Sequence, residues 1–362
     1  MDTIKIGVVG VSRGSTYVKV FHQNGRSEIT AICDPNDLNR EQAKEEIGLT
    51  DSQCYTDYDE FLNADIDAVA IVTPIPLHEE QVIKALEAGK DVFSEVTMAN
   101  TVEGCEHILE TVRKTGRKYM MAENYIYLDY ILQWKKYIDD GRIGRIHYAE
   151  AEYVHDIRDR LFDCGTRKNE SFWRTYRPPV HYCTHCLGPL MYLIGEGDYI
   201  VKATGWGNKN TIVPDLWPST IDMQVGLFET KQGRIIKILR SQVTPRSPHI
   251  VTYNIYGTGG SLETGRTPGY DTVGMRYFEK TDKEMVPMNC NGTRLDAPLD
   301  VKLASGHGTS DYTGAQAFLD YLEFGKEPYT IAERAAELTL PGIVAHEAAI
   351  QGHIWLDVPH LT

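Results

Sequence analysis

The chain has 362 residues, 42% of them hydrophobic and 24% charged, and carries a formal net charge of −14 at pH 7. That length accommodates two domains with cores of their own, and the composition excludes a disordered chain. The acidic balance, with no lysine/arginine block to offset it, excludes a nucleic-acid backbone as partner and leaves a small molecule.

Met1 to Gly10 runs directly into an apolar stretch with no basic leader, long apolar segment or cleavage site, which predicts a cytoplasmic protein. No apolar run approaches the roughly 20 residues that span a bilayer, so a membrane is not expected as partner. The seven cysteines fall at irregular spacings, which predicts reduced thiols and no disulfide framework.

Ile4-Lys5-Ile6-Gly7-Val8-Val9-Gly10 reads as a strand ending at glycine, followed by a turn and a helix carrying Tyr17, Val18, Val20 and Phe21. A second strand over 29–33 stops at Asp34. This is the layout of a dinucleotide-binding βαβ unit, with pyrophosphate on the amides at the helix start and an acidic residue on the ribose. Asp34 would repel a 2′-phosphate, so the pattern favours NAD over NADP. The glycine fingerprint is degenerate, because Gly10, Ser12 and Ser15 occupy its three places and Gly14 is displaced by one. A third strand over 68–72, a helix over 78–90, a fourth strand over 91–93 and a helix over 102–116 continue the alternation. They predict an α/β domain with an open, doubly wound parallel sheet over residues 1–124.

Thr73-Pro74-x-x-x-His78 and Phe93-Ser94-Glu95-Val96-Thr97 resemble the Gfo/Idh/MocA family of NAD(P)-dependent oxidoreductases. That family typically has a glutamate-lysine-proline triplet where Glu95-Val96-Thr97 stands here, so the lysine that usually helps move the hydroxyl proton is replaced by Val96. A narrower branch with the same departure is the NAD-dependent glycosidases of family 109, which act by transient oxidation. Met121-Ala122-Glu123-Asn124, Tyr153-Val154-His155-Asp156-Ile157-Arg158, Tyr182-Cys183-Thr184-His185-Cys186-Leu187-Gly188-Pro189 and Gly306-His307-Gly308-Thr309-Ser310-Asp311 are similar to segments of that branch, in the same order. The resemblance implies a Rossmann fold and NAD bound through Gly10, Ser12, Arg13, Asp34, Thr73, Pro74, His78, Glu95 and Asn124.

Beyond residue 124 the pattern changes. Strands with alternating polarity are predicted over 146–154, 200–207, 221–229, 235–243 and 250–256, with short polar turns. Alternation and hairpin turns argue for a large, mostly antiparallel sheet in an α+β domain over 125–362, its free face a natural interface for a homo-oligomer. Residues 262–305 read as irregular, and 312–324 and 331–353 as helical.

The stretch Arg177 to Pro189 holds His181, Cys183, His185 and Cys186. A structural zinc site normally pairs two knuckles, and no second C-x-x-C follows, so no metal is expected and the cysteines read as core thiols. His185 differs, because the resembled families place an active-site histidine there. Removing a hydride from a secondary alcohol requires a base for its proton, and imidazole, with a reference pKa near 6.5, suits that task. His185 is therefore the expected base, with Tyr153 and Tyr182 as further catalytic groups. A phenol near pKa 10 takes part only with a cationic neighbour. Glu95, His155, Asp156, Arg158, His181 and His307 are expected to bind substrate hydroxyls or orient groups that do, with His181 replacing a family aspartate.

The resulting expectation is an NAD-dependent oxidoreductase acting on a sugar or glycoside at the pyranose 3-hydroxyl, with a lyase or deglycosidase downstream. The alternatives are a redox glycosidase, which oxidises, eliminates, adds water and re-reduces, and a non-catalytic protein that senses NAD or a sugar.

Overall fold

The computed structural model describes residues 3–158, 177–209, 211–212, 221–266, 273–290, 307 and 309–361. The chain divides into two compact units, Met1–Tyr127 with Thr293–Ala336 and Leu361–Thr362, and Leu128–Gly292 with Glu337–His360. A single cut after residue 124 does not describe this division, because the first unit is completed by a segment that follows the second unit in sequence.

The first unit is built on β1 (Ile4–Val9), β2 (Ser27–Cys33), β3 (Cys54–Tyr55), β4 (Ala68–Ile71), β5 (Asp91–Ser94) and β6 (Tyr119–Met121). They form one sheet in the order β3-β2-β1-β4-β5-β6, and every pairing is parallel. That is the doubly wound Rossmann order, whose direction reverses between β1 and β4, and such sheets bind ligands at the carboxyl ends of the strands. The four residues of β4 are all buried, as a sheet covered on both faces requires. The helix Asp37–Ile47 has no clear signal in the sequence, because Ala43 is its one buried residue. Its start is fixed by Asn36, whose side chain accepts from the amides of Leu38 and Asn39. An aromatic seam joins the unit: Phe93 lies 5.1 Å from Tyr17, 5.5 Å from Phe21 and 5.3 Å from Phe318 of the helix Ser310–Phe324.

In the second unit β7 (Ile146–Val154), β8 (Ile200–Lys209), β9 (Ile221–Thr230), β10 (Ile235–Ser241), β11 (Ile250–Gly257), β12 (Gly260–Glu263), β13 (Val273–Phe278), β14 (Val286–Asn289) and β15 (Leu356–Asp357) form a second sheet. Its order is β14-β13-β12-β11-β7-β10-β9-β8-β15. All pairings are antiparallel except β7 with β10, which run parallel at its centre. The segment 262–305 is not irregular throughout, since β13 and β14 lie within it. Both are short, β14 at the sheet edge and β13 next to it, and a local pattern does not reveal their partners; residues 267–272 and 291–305 lie outside the described residues. Burial alternates strictly along β9, with Asp222, Gln224, Gly226 and Phe228 inward and Met223, Val225 and Leu227 half-buried on the other face. The helix Thr184–Ile194 is buried along nearly its whole length. Among the described residues, no helix is long and apolar enough to cross a membrane.

Candidate functional site

In the first unit the expected cofactor residues gather at the carboxyl ends of the parallel strands. Gly10 follows β1 in the left-handed region (φ 83°), and a Cβ there would lie 2.7 Å from the Val72 carbonyl oxygen, so the turn closes on β4 only with glycine. Gly10 gives the helix Val11–His22 no side-chain cap, which leaves its first amides suited to an anion. Gly14, one position off the fingerprint, is buried where a Cβ would touch Val72 and Val8 at 3.3 Å. It serves the close helix-to-sheet packing that the third fingerprint glycine provides. Ser12 is exposed, and Ser12 and Ser15 line a small cavity of about 70 Å³ with Asn39 and Glu46. Asp34 is buried at the end of β2, with Oδ1 accepting from the Asn36 amide at 2.9 Å and from Asn39 Nδ2 at 3.3 Å.

Thr73 and Pro74 follow β4, and His78 is fully buried behind them. Its ring nitrogens lie 2.9 Å from the Thr73 carbonyl and 2.8 Å from the Thr97 carbonyl. The imidazole thus ties the loop after β4 to the loop after β5, and both nitrogens expected to meet the cofactor are taken up by protein carbonyls. Glu95 is buried just after β5; Oε2 accepts from the Val96 amide at 3.1 Å, and Arg13 Nη2 forms an ion pair with Oε1 at 3.0 Å. Val96 is itself buried, which places an aliphatic side chain where the resembled family has its lysine. After β6, Asn124 Nδ2 donates to Asp311 Oδ1 at 2.6 Å, and Asp311 Oδ2 lies 3.2 Å from His307 Nδ1. This Asn124–Asp311–His307 relay orients a half-buried imidazole through a buried carboxylate. Burial, with Glu95 and Asp311 nearby, holds the Tyr17 phenol well above its ordinary pKa.

The second unit brings the three expected catalytic residues together. His185 lies in the first turn of the helix Thr184–Ile194 and is buried; its ring centroid is 5.2 Å from Tyr182 and 5.9 Å from Tyr153. Its carbonyl accepts from the Tyr253 hydroxyl. The Tyr153 hydroxyl lies 3.1 Å from His155 Nδ1, and the two rings stack. His249, exposed and absent from the sequence-based set, is 4.7 Å from the His155 ring. Asp156 and Arg158 turn to each other: the guanidinium donates to both carboxylate oxygens, at 2.8 and 2.7 Å. Arg158 holds the Asp156 carboxyl below the usual carboxylate range.

His181 makes no hydrogen bond to His185. Its ring meets the edge of His346 at 5.1 Å, and both of its nitrogens are buried without a hydrogen bond. Burial pushes its pKa well below the ordinary histidine value, with Arg177 and His346 adding to the effect. Cys183 and Cys186 are buried free thiols, and Cys183 Sγ is 3.5 Å from the Leu338 carbonyl. Among the described residues, no group of three or more His, Cys, Asp and Glu is arranged to hold a metal ion.

Residues 4–123 match the model of the Gfo/Idh/MocA oxidoreductase family, NAD-binding Rossmann fold. A glycosyl hydrolase family 109 protein of Shewanella pealeana is 30% identical over 346 residues, covering 86% of this chain and 75% of that protein. The chain belongs to the Gfo/Idh/MocA oxidoreductase family. An alpha-N-acetylgalactosaminidase of Shewanella oneidensis is 31% identical over 347 residues, with the same coverage. Levoglucosan dehydrogenase in complex with NADH superposes with a TM-score of 0.83 at 19% identity, over 99% of this chain and 100% of that one, which shows a shared fold. As a Gfo/Idh/MocA protein the chain has an NAD-binding Rossmann domain. The geometry of its first unit fits that cofactor: the turn at Gly10 admits no side chain, the helix behind it is uncapped, and a buried acid closes β2.

Proposed function

We propose that this Gfo/Idh/MocA protein oxidises a secondary hydroxyl of a sugar or glycoside, at the pyranose 3-position. The observation that carries the reading is the cluster in which His185 is held between Tyr153 and Tyr182, in a chain whose family lysine position is the buried Val96. The names of the relatives, a glycosidase and a sugar dehydrogenase bound to NADH, support the substrate class.

The uncapped helix start after Gly10 would hold the pyrophosphate of NAD, and Asp34 would accept from its ribose hydroxyls. Bound NAD supplies a hydride acceptor. His185 takes the proton of the substrate hydroxyl as the hydride leaves its carbon, so that charge does not build up on the oxygen. Tyr153, with His155 on its hydroxyl, and Tyr182 border that imidazole and fix the substrate oxygen against it.

A second reading is favoured by the family 109 relatives: oxidation at C3 acidifies the C2 proton, the aglycone is eliminated, water adds and the ketone is reduced again. Incubation with NAD and a panel of aryl and alkyl glycosides separates the two. Net oxidation accumulates NADH and a 3-keto product, whereas redox-neutral cleavage releases sugar and aglycone with no net change in cofactor. A panel that gives neither outcome would remove both readings and leave a sensing role.

A further inference from the structure

Arg240 is the charged residue at an inward position of a buried strand. In β10 the side chains of Ile236, Ile238 and Arg240 point to one side, and all three are buried, Arg240 at 1% exposure. Burying a guanidinium costs several kcal/mol unless its donors are engaged and its charge is compensated. Among the described contacts, three backbone carbonyls and two aromatic rings engage it. Nε donates to the Tyr182 carbonyl at 3.3 Å, while Nη1 donates to the Tyr153 carbonyl at 3.2 Å and the Ser241 carbonyl at 2.6 Å. The same guanidinium lies 4.1 Å from the ring centroid of Tyr153 and 5.3 Å from that of Tyr182. It therefore holds the backbone and the ring face of both tyrosines, and these are the two rings that flank His185.

We propose that Arg240 is a positioning residue for proton transfer, which acts through Tyr153 and Tyr182 to fix the His185 imidazole against the substrate hydroxyl. A planar, permanently charged fork suits the task where an ammonium does not, since one rigid group reaches two carbonyls and stacks on two aromatic faces. Three imidazoles also face Tyr153, those of His155, His249 and His185. His185 touches both tyrosine rings and is the group being clamped, whereas His155 and His249 meet the ring of Tyr153.

This inference rests on the oxidoreductase reading for its catalytic meaning, and its test has a part that does not. With 3-fluorotyrosine placed at position 153 or 182, Arg240→Met should shift and broaden both fluorine signals, leave a control at Tyr58 in the first unit unmoved, and Arg240→Lys should give an intermediate spectrum. Unmoved signals at 153 and 182 in folded Arg240→Met overturn the proposal whether or not any sugar is turned over. In turnover, Arg240→Met should lower kcat by about 10²-fold, the scale of a misplaced reacting group, with NAD affinity unchanged and partial recovery in Arg240→Lys. Combined with His185→Ala it should add little further loss. Losses that multiply in the double variant mean that Arg240 does not act through His185, and overturn the proposal. Should Arg240→Met fail to fold, Arg240→Lys carries both measurements, with the same signals and the same pairing with His185→Ala deciding.

Discussion

The two units solve the problem of placing chemistry by different means. In the first, a parallel sheet sends every strand end to one edge, so Gly10, Asp34, Thr73 and Glu95 converge simply because each follows its strand. In the second, His185 comes from the helix Thr184–Ile194 and the groups around it stand largely on a sheet face. Tyr153 comes from β7, Arg240 from β10 and Tyr253 from β11, neighbours that only strand register creates, with Arg240 paired to Tyr153 across the parallel centre. A site made at strand ends depends on backbone shape, and a site made on a sheet face depends on which side chains lie opposite one another.

The sharpest way to break that comparison is to remove the central group of the second unit. His185→Ala should lower turnover of a glycoside roughly 10²- to 10⁴-fold, the range of a positioned general base, while NAD binding, followed by fluorescence titration, stays as in the wild type. A matching loss of NAD affinity would mean that the division of labour between the units is wrong. On the other side, Asp34→Ala should weaken NAD about 10- to 100-fold, the equivalent of a charged hydrogen bond worth ~1.5–3 kcal/mol, and relax discrimination against NADP. Tighter binding of NADP than NAD by the wild type would sink the ribose assignment.

A third measurement concerns pH. His181 and His346 both have pKa values lowered by burial, His181 strongly, so the folded state prefers them neutral. The unfolded chain binds more protons than the folded one below the ordinary histidine value near 6.5, and stability must therefore fall as pH drops below it. Arg177 opposes the protonated form of His181 in the same direction, and Glu347 opposes that trend only at His346. Unfolding free energies from denaturant titration should decline from pH 6.5 to 5 with a slope of at most about 1.4 kcal/mol per pH unit for each histidine. His181→Phe should flatten part of that decline, and an unchanged slope would show that His181 titrates freely. The smallest effect belongs to the thiols. Cys183→Ser and Cys186→Ser should cost about 1 kcal/mol of stability as polar atoms enter a packed core, with turnover and metal content unaltered. Stoichiometric zinc lost in either variant would convert the core reading into a metal centre.

What could be read in advance follows the same division. The βαβ order, Asp34 and the Val96 departure stood in local segments, because a Rossmann site is assembled in chain order. The central strands of the second sheet were legible to within about two residues from alternation alone. Their register was not, which is why His249 and Arg240 could not be seen to meet Tyr153, nor Tyr253 to reach the His185 carbonyl. Arg240 carried a signal nonetheless: a charge in phase with Ile236 and Ile238 marks an inward position that should hold an apolar residue. His181 shows the opposite limit: the motif suggested a group replacing a family aspartate, and the motif could not show that its ring lies against His346. Edge strands such as β14, whose four residues alternate between half-buried and exposed, offered too little pattern to register.

The late return of the chain to its first unit bears on how the protein is made. Arg26 finds its partners in Gln316, Asp320 and Glu323, the last of them 297 positions away, and the Phe21–Phe93 seam is closed by Phe318. A ribosome delivers residues from the amino end at about 5–20 per second, so the nucleotide-binding segment emerges early yet stays unsealed until the helix Ser310–Phe324 has been synthesised. During that interval its aromatic flank is open to any sticky neighbour, and long-range closure of this kind is slow by the logic of contact order. Between the emergence of Phe93 and that of Phe318 the nascent chain thus has a built-in waiting period, in which this aromatic flank lacks its native cover.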